Sequence, residues 1–451
     1  MELKRVLSIA GSDSGGGAGI QADLKTITAL GGFGMSVITA LTAQNTLGVK
    51  GIHEVPVEFI EKQFDAVASD IGIDAAKTGM LASSEIIAAV ARKIKEYNVD
   101  RLVVDPVMVA KGGARLIRED ATRSLVEELL PLAFVVTPNI PEAEVLTGMR
   151  IATVVEMKEA ARMIRDMGPK HVLVKGGHLS GDALDILYSG GNFHEFSSER
   201  FDTRDTHGTG CTFSAAIATR LAQGEKVVDA LRSAKDYITS AIRFSLRIGQ
   251  GHGPTNHFAG VLKESGRYQC LVELKQAVEY LKESCCGNII PEIQSNLGYA
   301  LPYATDKADV AAIPGRIIRV GEHIETLHDP DFGVSSHVAR IILTLMRYNP
   351  EYRSAMAIRF SEETLMLLDE MGYDVAQFSR AEEPRDIKAR EGSSLEWGTD
   401  YVLSGRETIP DAIFDRGDVG KEPVIRILGK SPTEVVDKVV SISEKLKALQ
   451  G

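Results

Sequence analysis

The chain alternates short apolar runs with stretches in which apolar residues recur every three to four positions. Residues 4–10 form an apolar run that ends in a glycine loop, and helical periodicity then continues to Leu30. A β-branched run starts at Met35, and the alternation continues with a helix over 57–69, a strand over 73–78, a helix over 83–97 and a strand over 101–105. Further on come strands ending near Thr137 and spanning 171–175, a hairpin over 184–197, and helices reaching about Ile248. Strand and helix in regular succession predict a parallel sheet with helices on both faces. Ligands of such sheets sit outside the carboxyl ends of the strands.

The pattern changes after residue 258. An amphipathic helix is expected over 271–284, followed by strands near 308–312, 316–320, 356–360, 411–415 and 423–428 and helices over 336–347, 361–372 and 432–447. At 451 residues the chain exceeds one ordinary core. The expected division is a first domain over 1–258, a linker and connecting helix over 259–287, and a second, smaller α/β domain over 288–451.

Composition narrows the function classes. A formal charge of −11 argues against a general nucleic-acid or membrane-surface binder. No run approaches the ~18 apolar residues of a membrane span, and the first residues lead straight into a strand without a signal-peptide pattern, so a cytoplasmic protein is expected. The 4 cysteines are too few for a disulfide framework in a chain of this length, and the adjacent Cys285 and Cys286 read as incidental.

The chemistry centres on Asp205-Thr206-His207-Gly208-Thr209-Gly210-Cys211, a glycine-rich turn that opens a long apolar-periodic helix. A helix start exposes unpaired N–H groups and the positive end of the macrodipole, and glycines let phosphate oxygens approach the backbone. A second glycine loop spans Gly11 to Gly19. Its spacing excludes the dinucleotide fingerprint, and no Gly-Lys-Ser/Thr follows to make a P-loop. Polar residues stand at several strand ends: Gln44 in Ala-Gln-Asn-Thr, Lys77-Thr78-Gly79-Met80, Asp105-Pro106-Val107-Met108, Asn139-Ile140-Pro141-Glu142, and Lys175. Gln44 suits a ring nitrogen and an exocyclic amine or, equally, caps a loop. Met80 and Val107 suit the wall around a flat ring or an ordinary core. Asn139 and Glu142 suit a hydrated Mg²⁺, with Glu142 also placed as a first-turn carboxylate. Asp23, on the first helix, faces the strand ends or solvent.

Together the two glycine loops and Asn-x-x-Glu resemble the ribokinase-like kinases, and within them the hydroxymethylpyrimidine and hydroxymethylpyrimidine-phosphate kinases of thiamine biosynthesis, over residues 1 to about 258. Cys211 stands where most ribokinase-like enzymes carry an aspartate base, as in the pyrimidine kinases. The resemblance implies ATP and Mg²⁺ as cofactors. It assigns Gly11, Asp23, Gln44, Met80 and Val107 to the substrate, and Asn139, Glu142, Lys175, Thr206, Gly208, Thr209 and Gly210 to ATP, with Glu142 holding the metal through water. Cys211, Gly208, Gly210 and Lys175 are the expected catalytic group, the thiol gaining thiolate character from the helix start. A homo-oligomer, a dimer through the kinase domain, is expected.

In the second domain, Pro314-Gly315-Arg316 with Arg319, and Ser335-Ser336-His337 with Arg340, suit an anion site or, on the bland reading, capping serines beside a solvated basic face. With Asn296 in Gln294-Ser295-Asn296, these segments resemble the non-barrel thiamine-phosphate synthase domain fused to pyrimidine kinases. That resemblance implies coupling of the pyrimidine diphosphate to thiazole phosphate. Arg316, Arg319, His337 and Arg340 would clamp charge, Arg316 and His337 foremost as catalytic residues, with Asn296, Ser335 and Ser336 binding diphosphate and thiazole phosphate. The same domain also serves as a ligand sensor in transcription regulators, and no helix-turn-helix module accompanies it here. A pyridoxal-type vitamin kinase with an accessory domain is the other enzyme reading.

Overall fold

The computed structural model describes residues 3–108, 119–177, 181–388 and 393–450. Two compact units divide it, Met1–Gly260 and Val261–Gly451.

The first unit runs β1 (Arg5–Asp13), α1 (Gly19–Ala29), β2 (Phe33–Asn45), β3 (Gly48–Glu54), α2 (Val57–Asp70), β4 (Ala75–Thr78), α3 (Ser84–Glu96), β5 (Leu102–Val104), α4 (Glu119–Ser124), β6 (Val135–Val136), α5 (Ile140–Thr147), α6 (Val154–Asp166), β7 (His171–Lys175), β8 (Ala183–Ser189), β9 (Asn192–Ser198), α7 (Thr209–Ala222) and α8 (Val227–Arg243). Among the described residues the sheet has the order β3-β2-β1-β4-β5-β6-β7-β8-β9. Neighbours from β2 through β7 pair in parallel, whereas β3, β8 and β9 pair antiparallel at the two edges. Alternate strand positions supply two cores. Leu7, Val104, Val136 and Val172 pack with Phe64, Ile87 and Ile164 on one face. Val6, Val103, Val135 and Leu173 pack with Phe213, Ile217 and Leu231 on the other. Because both faces are covered, the strands read as unbroken apolar runs. The edge strand β3 was not expected from sequence, since its residues are half exposed and carry no apolar run.

The second unit continues with α9 (Ala259–Ser265), α10 (Arg267–Glu283), β10 (Leu297–Ala300), β11 (Val310–Ala312), β12 (Ile317–Val320), β13 (His323–Thr326), β14 (Asp331–Phe332), α11 (Ser336–Tyr348), β15 (Ser354–Arg359), α12 (Glu362–Glu370), β16 (Val375–Gln377), α13 (Arg385–Lys388), α14 (Ser393–Leu403), β17 (Ala412–Asp415), β18 (Val424–Gly429) and α15 (Pro432–Gln450). Its main sheet has the order β14-β11-β10-β15-β18-β17-β16, mostly antiparallel, and β12 pairs with β13 apart from it. Met356, Ile425 and Ile427 face α10 and α15, while Ala355, Ile413 and Leu428 face α11 and α14. The helix expected as a connector, α10, is instead part of this core: Cys270, Leu274, Val278 and Leu281 are buried in it. Its amphipathic spacing was legible, but the partner of its apolar face was not.

Candidate active site

Because β1, β4, β5, β6 and β7 are parallel neighbours, their carboxyl ends open on one edge, and polar residues that lie far apart in sequence come together there. Lys77 closes β4 with its ammonium 2.9 Å from Asp23 of α1, and both side chains are fully buried. Ser8 Oγ donates to the same carboxylate at 2.6 Å. Burial opposes the Lys77 charge, but the carboxylates of Asp23 and Asp105 hold the ammonium above its usual range. One strand over, Asp105 accepts from Lys175 Nζ at 3.0 Å, Thr137 Oγ1 at 3.2 Å and Ser214 Oγ at 3.3 Å. Glycine at 79 leaves room for this pair, since a Cβ there would stand 2.9 Å from Ala10 Cβ and 3.0 Å from Lys77 Nζ.

The start of α7 closes over this row. Gly208 has φ +80, and no side chain caps the helix. A Cβ on Gly210 would lie 3.4 Å from Asp105 Oδ2 and 3.6 Å from Lys175 Nζ, so the helix start faces the ion pair. Thr209 turns its hydroxyl back onto the Thr206 carbonyl at 2.7 Å. The two glycine loops touch: a Cβ on Gly208 would stand 1.8 Å from the Gly17 carbonyl oxygen. Asp13 shapes the first loop by accepting the N–H groups of Gly15, Gly17 and Ala18. It also pairs with His207 Nε2 at 2.9 Å.

Cys211 corrects an expectation. Burial pushes its thiol up to about 11, with Lys77 and an N–H from Gly19 pulling the other way. Burial outweighs the helix start, and the group is a neutral thiol near pH 7. Asn139 and Glu142 also differ from the expected pair of open oxygen donors. Asn139 Oδ1 accepts the Glu142 N–H at 2.9 Å, and Glu142 Oε2 accepts the Asn139 N–H at 2.8 Å, a reciprocal cap on α5. Glu142 is nonetheless buried beside Lys175 and Asp105, and burial raises its carboxyl to about 7. Asp105 and Glu142 both bear on Lys175, and carboxylate oxygens are the donor type that Mg²⁺ takes together with water.

Of the expected substrate residues, Gly11 and Met80 meet directly, a Cβ on Gly11 falling 2.9 Å from Met80 Cε. Asp23 is buried in its ion pair, not exposed on a helix. Val107 is half-buried just past β5, its N–H on the Asp105 carbonyl. Gln44 reaches His207 Nε2 at 3.1 Å, linking the β2 end to the α7 turn. Lys77, Asp105, Asp13 and His207 were not singled out from sequence as site residues. A lysine inside Ala75-Ala76-Lys77-Thr78 and an aspartate ending Leu102-Val103-Val104-Asp105 were the available signals, because charge in a buried run requires a partner.

In the second unit a cavity of about 630 Å³ is lined by Asn296, Arg316, Ser335, Ser336 and His337. Arg316 takes φ +72, and its guanidinium donates to the Ile293 carbonyl. Asn296 spends both ends of its amide on Ile313, accepting its N–H and donating to its carbonyl, each at 2.9 Å, so it pins the Pro-Gly-Arg segment. Arg319 and Arg340 are outside the lining. Arg319 is exposed on the separate β12–β13 hairpin and bonds Gly321, and Arg340 lies one turn into α11. Helical spacing put His337 and Arg340 on one side, but the cavity runs along His337, Val338 and Ile341 of α11 and leaves Arg340 out. The lining also includes Arg380 and Arg426, which sequence reading passed over.

The phosphomethylpyrimidine kinase family model matches residues 13–256, and that of thiamine-phosphate synthase ThiN matches residues 273–441. A thiamine biosynthesis bifunctional protein ThiED of Geobacter sulfurreducens is 60% identical over 56% of this chain, which spans only 52% of that relative. The hydroxymethylpyrimidine/phosphomethylpyrimidine kinase of Bacillus subtilis is 51% identical over 57% of this chain and 96% of its own length. Among solved structures, the ADP complex of Bacillus subtilis pyridoxal kinase aligns with 58% of this chain and 100% of its own at 42% identity and a TM-score of 0.55. Staphylococcus aureus pyridoxal kinase in complex with AMP-PCP and pyridoxal aligns with 57% of this chain and 94% of its own at 38% identity and a TM-score of 0.54. Ribokinase-like fold, glycine-rich helix start and matched residues agree, and the chain belongs to the phosphomethylpyrimidine kinase family, with a ThiN-type thiamine-phosphate synthase domain fused behind the kinase.

Proposed function

We propose that the first unit transfers the γ-phosphoryl group of ATP to the hydroxymethyl group of 4-amino-5-hydroxymethyl-2-methylpyrimidine and then to the resulting monophosphate. The second unit then joins the diphosphate to thiazole phosphate, giving thiamine phosphate and pyrophosphate. The observation that carries the first step is the Gly208–Cys211 helix start facing the Lys175–Asp105 pair. Phosphoryl transfer depends on positioning and charge neutralisation more than on covalent chemistry. The α7 N–H groups stabilise the transferring oxygens, and Lys175 meets the polyphosphate. Mg²⁺, when bound, neutralises further phosphate charge, and Asp105 and Glu142 are the residues fitted to hold it, through water. Cys211, as a neutral thiol, orients the hydroxymethyl oxygen, since a loose transition state needs no strong base. Gln44 and Met80 border the pyrimidine. Pyrimidine kinases at 51% identity, against pyridoxal kinases at 38–42%, favour the pyrimidine over a pyridoxal-type substrate.

For the second step, Arg316 and His337 at the cavity mouth, with the start of α11, clamp the leaving diphosphate, which departs from a stabilised pyrimidine methylene cation as the thiazole nitrogen attacks. Exposed Leu41, Leu47 and Ile52 on the β2–β3 edge support a dimer through the kinase unit, checked by light scattering. Among the described residues no helix is long and apolar enough to cross a membrane, and the cytoplasm is the compartment proposed. Mass spectrometry of one reaction with purified protein, hydroxymethylpyrimidine, Mg²⁺-ATP and thiazole phosphate tests both steps. Thiamine phosphate is the expected product. Stopping at the pyrimidine diphosphate would make the second unit a sensor, and absence of any phosphorylated pyrimidine would overturn the kinase assignment.

A further inference from the structure

The cavity of the second unit is lined by exposed Arg316 and His337 and by buried Arg380 and Arg426, and the proposed chemistry so far uses only the exposed pair. Arg380 and Arg426 converge on a single carboxylate. Arg380 Nε and Nη2 donate to Asp415 at 2.6 and 3.3 Å, and Arg426 Nη2 donates to it at 2.7 Å. The three side chains are nearly or fully buried, with residue exposures of 9%, 4% and 0%. Both guanidiniums also sit over the Phe378 ring, 6.0 and 5.5 Å from its centroid. Two positive charges share one negative charge, leaving an excess of one in a place where unpaired charge is costly. Glu383, the other buried carboxylate among the described residues of this stretch, makes no hydrogen bond to either arginine and is outside the lining. Strand alternation explains the placement. Arg426 points to the same face of β18 as Val424 and Leu428, toward the α11–α14 layer, and Asp415 extends the Ile413 face of β17. Arg380 and Arg426 line the cavity together with Ser394 and Leu395 at the start of α14.

We propose that Arg380 and Arg426, held by Asp415, form a monophosphate subsite: they bind the phosphate that stays on the thiazole and on the coupled product, while Arg316 and His337 take the diphosphate. This rests on the coupling chemistry proposed above, which brings two anionic groups into one cavity. The exposed Arg316 and His337 suit a group that departs to solvent. The buried arginine pair, with its fixed surplus of one charge and its forked donors, suits a group that is retained. The apolar wall from Ala355, Ile341 and Leu395 accommodates the rings.

The test is calorimetric binding of thiamine phosphate and of thiamine to the full chain, alongside turnover. Wild type is expected to prefer thiamine phosphate at least tenfold, and Arg380→Gln and Arg426→Gln to lose that preference while binding thiamine and inorganic pyrophosphate as before. Unchanged thiamine affinity certifies the fold of each variant. Should Arg426→Gln melt early, Arg380→Gln and Arg426→Lys carry the comparison. A preference that survives in the variants, or one absent from wild type, overturns the subsite. If the preference behaves as expected while no thiamine phosphate is ever formed, the coupling reading fails and the subsite stands as a sensor's.

Discussion

Lys77 Nζ lies 2.9 Å from both carboxylate oxygens of Asp23, and neither side chain reaches solvent. The pair ties α1, which follows the first glycine loop, to the carboxyl end of β4. Removing one partner strands the other. Lys77→Met is expected to cost about 3–5 kcal/mol of stability, and Lys77→Met with Asp23→Asn to recover much of it. Denaturant unfolding of the single and double variants checks this; equal losses in both would show that the pair contributes no coupling.

Gly208→Ala puts a methyl group 1.8 Å from the Gly17 carbonyl, in a backbone with φ +80. The two glycine loops must then separate and the α7 N–H groups lose their aim. Kinase turnover is expected to fall about 100-fold, the scale of losing one preorganised donor. Steady-state kinetics measures it, with circular dichroism to confirm that the rest of the unit is folded.

Cys211→Ala is expected to lower kcat far more than it weakens ATP binding, and turnover equal to wild type would remove Cys211 from the mechanism. Its half-buried thiol is pushed up to about 11 by desolvation. Iodoacetamide should therefore label it slowly at pH 8 and faster toward pH 11. Fast labelling at neutral pH, followed by mass spectrometry of the peptide, would restore a thiolate.

Glu142 has a carboxyl raised to about 7 from 4.5 by burial. The folded protein thus holds this proton where the unfolded chain has released it, and stability falls as pH rises from about 4.5 through 7. The contribution lost is about 3.5 kcal/mol at most, at ~1.4 kcal/mol per pKa unit. Melting temperature against pH should be flatter over that window in Glu142→Gln; an identical profile would assign the slope elsewhere.

His337→Ala should abolish thiamine phosphate while pyrimidine diphosphate accumulates, since His337 lines the second cavity and no residue of the kinase row belongs to that unit. Separate assays of the two products read this. Loss of both would show that the units do not act as separable sites.

The order of elements in the first unit was legible because its strands are buried on both faces and its helices carry a regular apolar stripe. The Gly208–Cys211 turn, Lys175 and Glu142 were legible because glycine loops and strand ends advertise themselves in sequence. Lys77 with Asp23, 54 positions apart, and Asp105 with Lys175, 70 apart, were not, because strand order decides which ends adjoin. Sequence also suggested a thiolate at Cys211 from its place at a helix start. Only the packing around it showed that desolvation wins, since burial is a property of neighbours that come from other elements. Likewise His337 and Arg340 share a helical spacing, but the cavity admits only the first, while Arg380, past the end of β16, meets Asp415 of β17 and Arg426 of β18. Local spacing determines which residues can face one way; long-range pairing decides what they face.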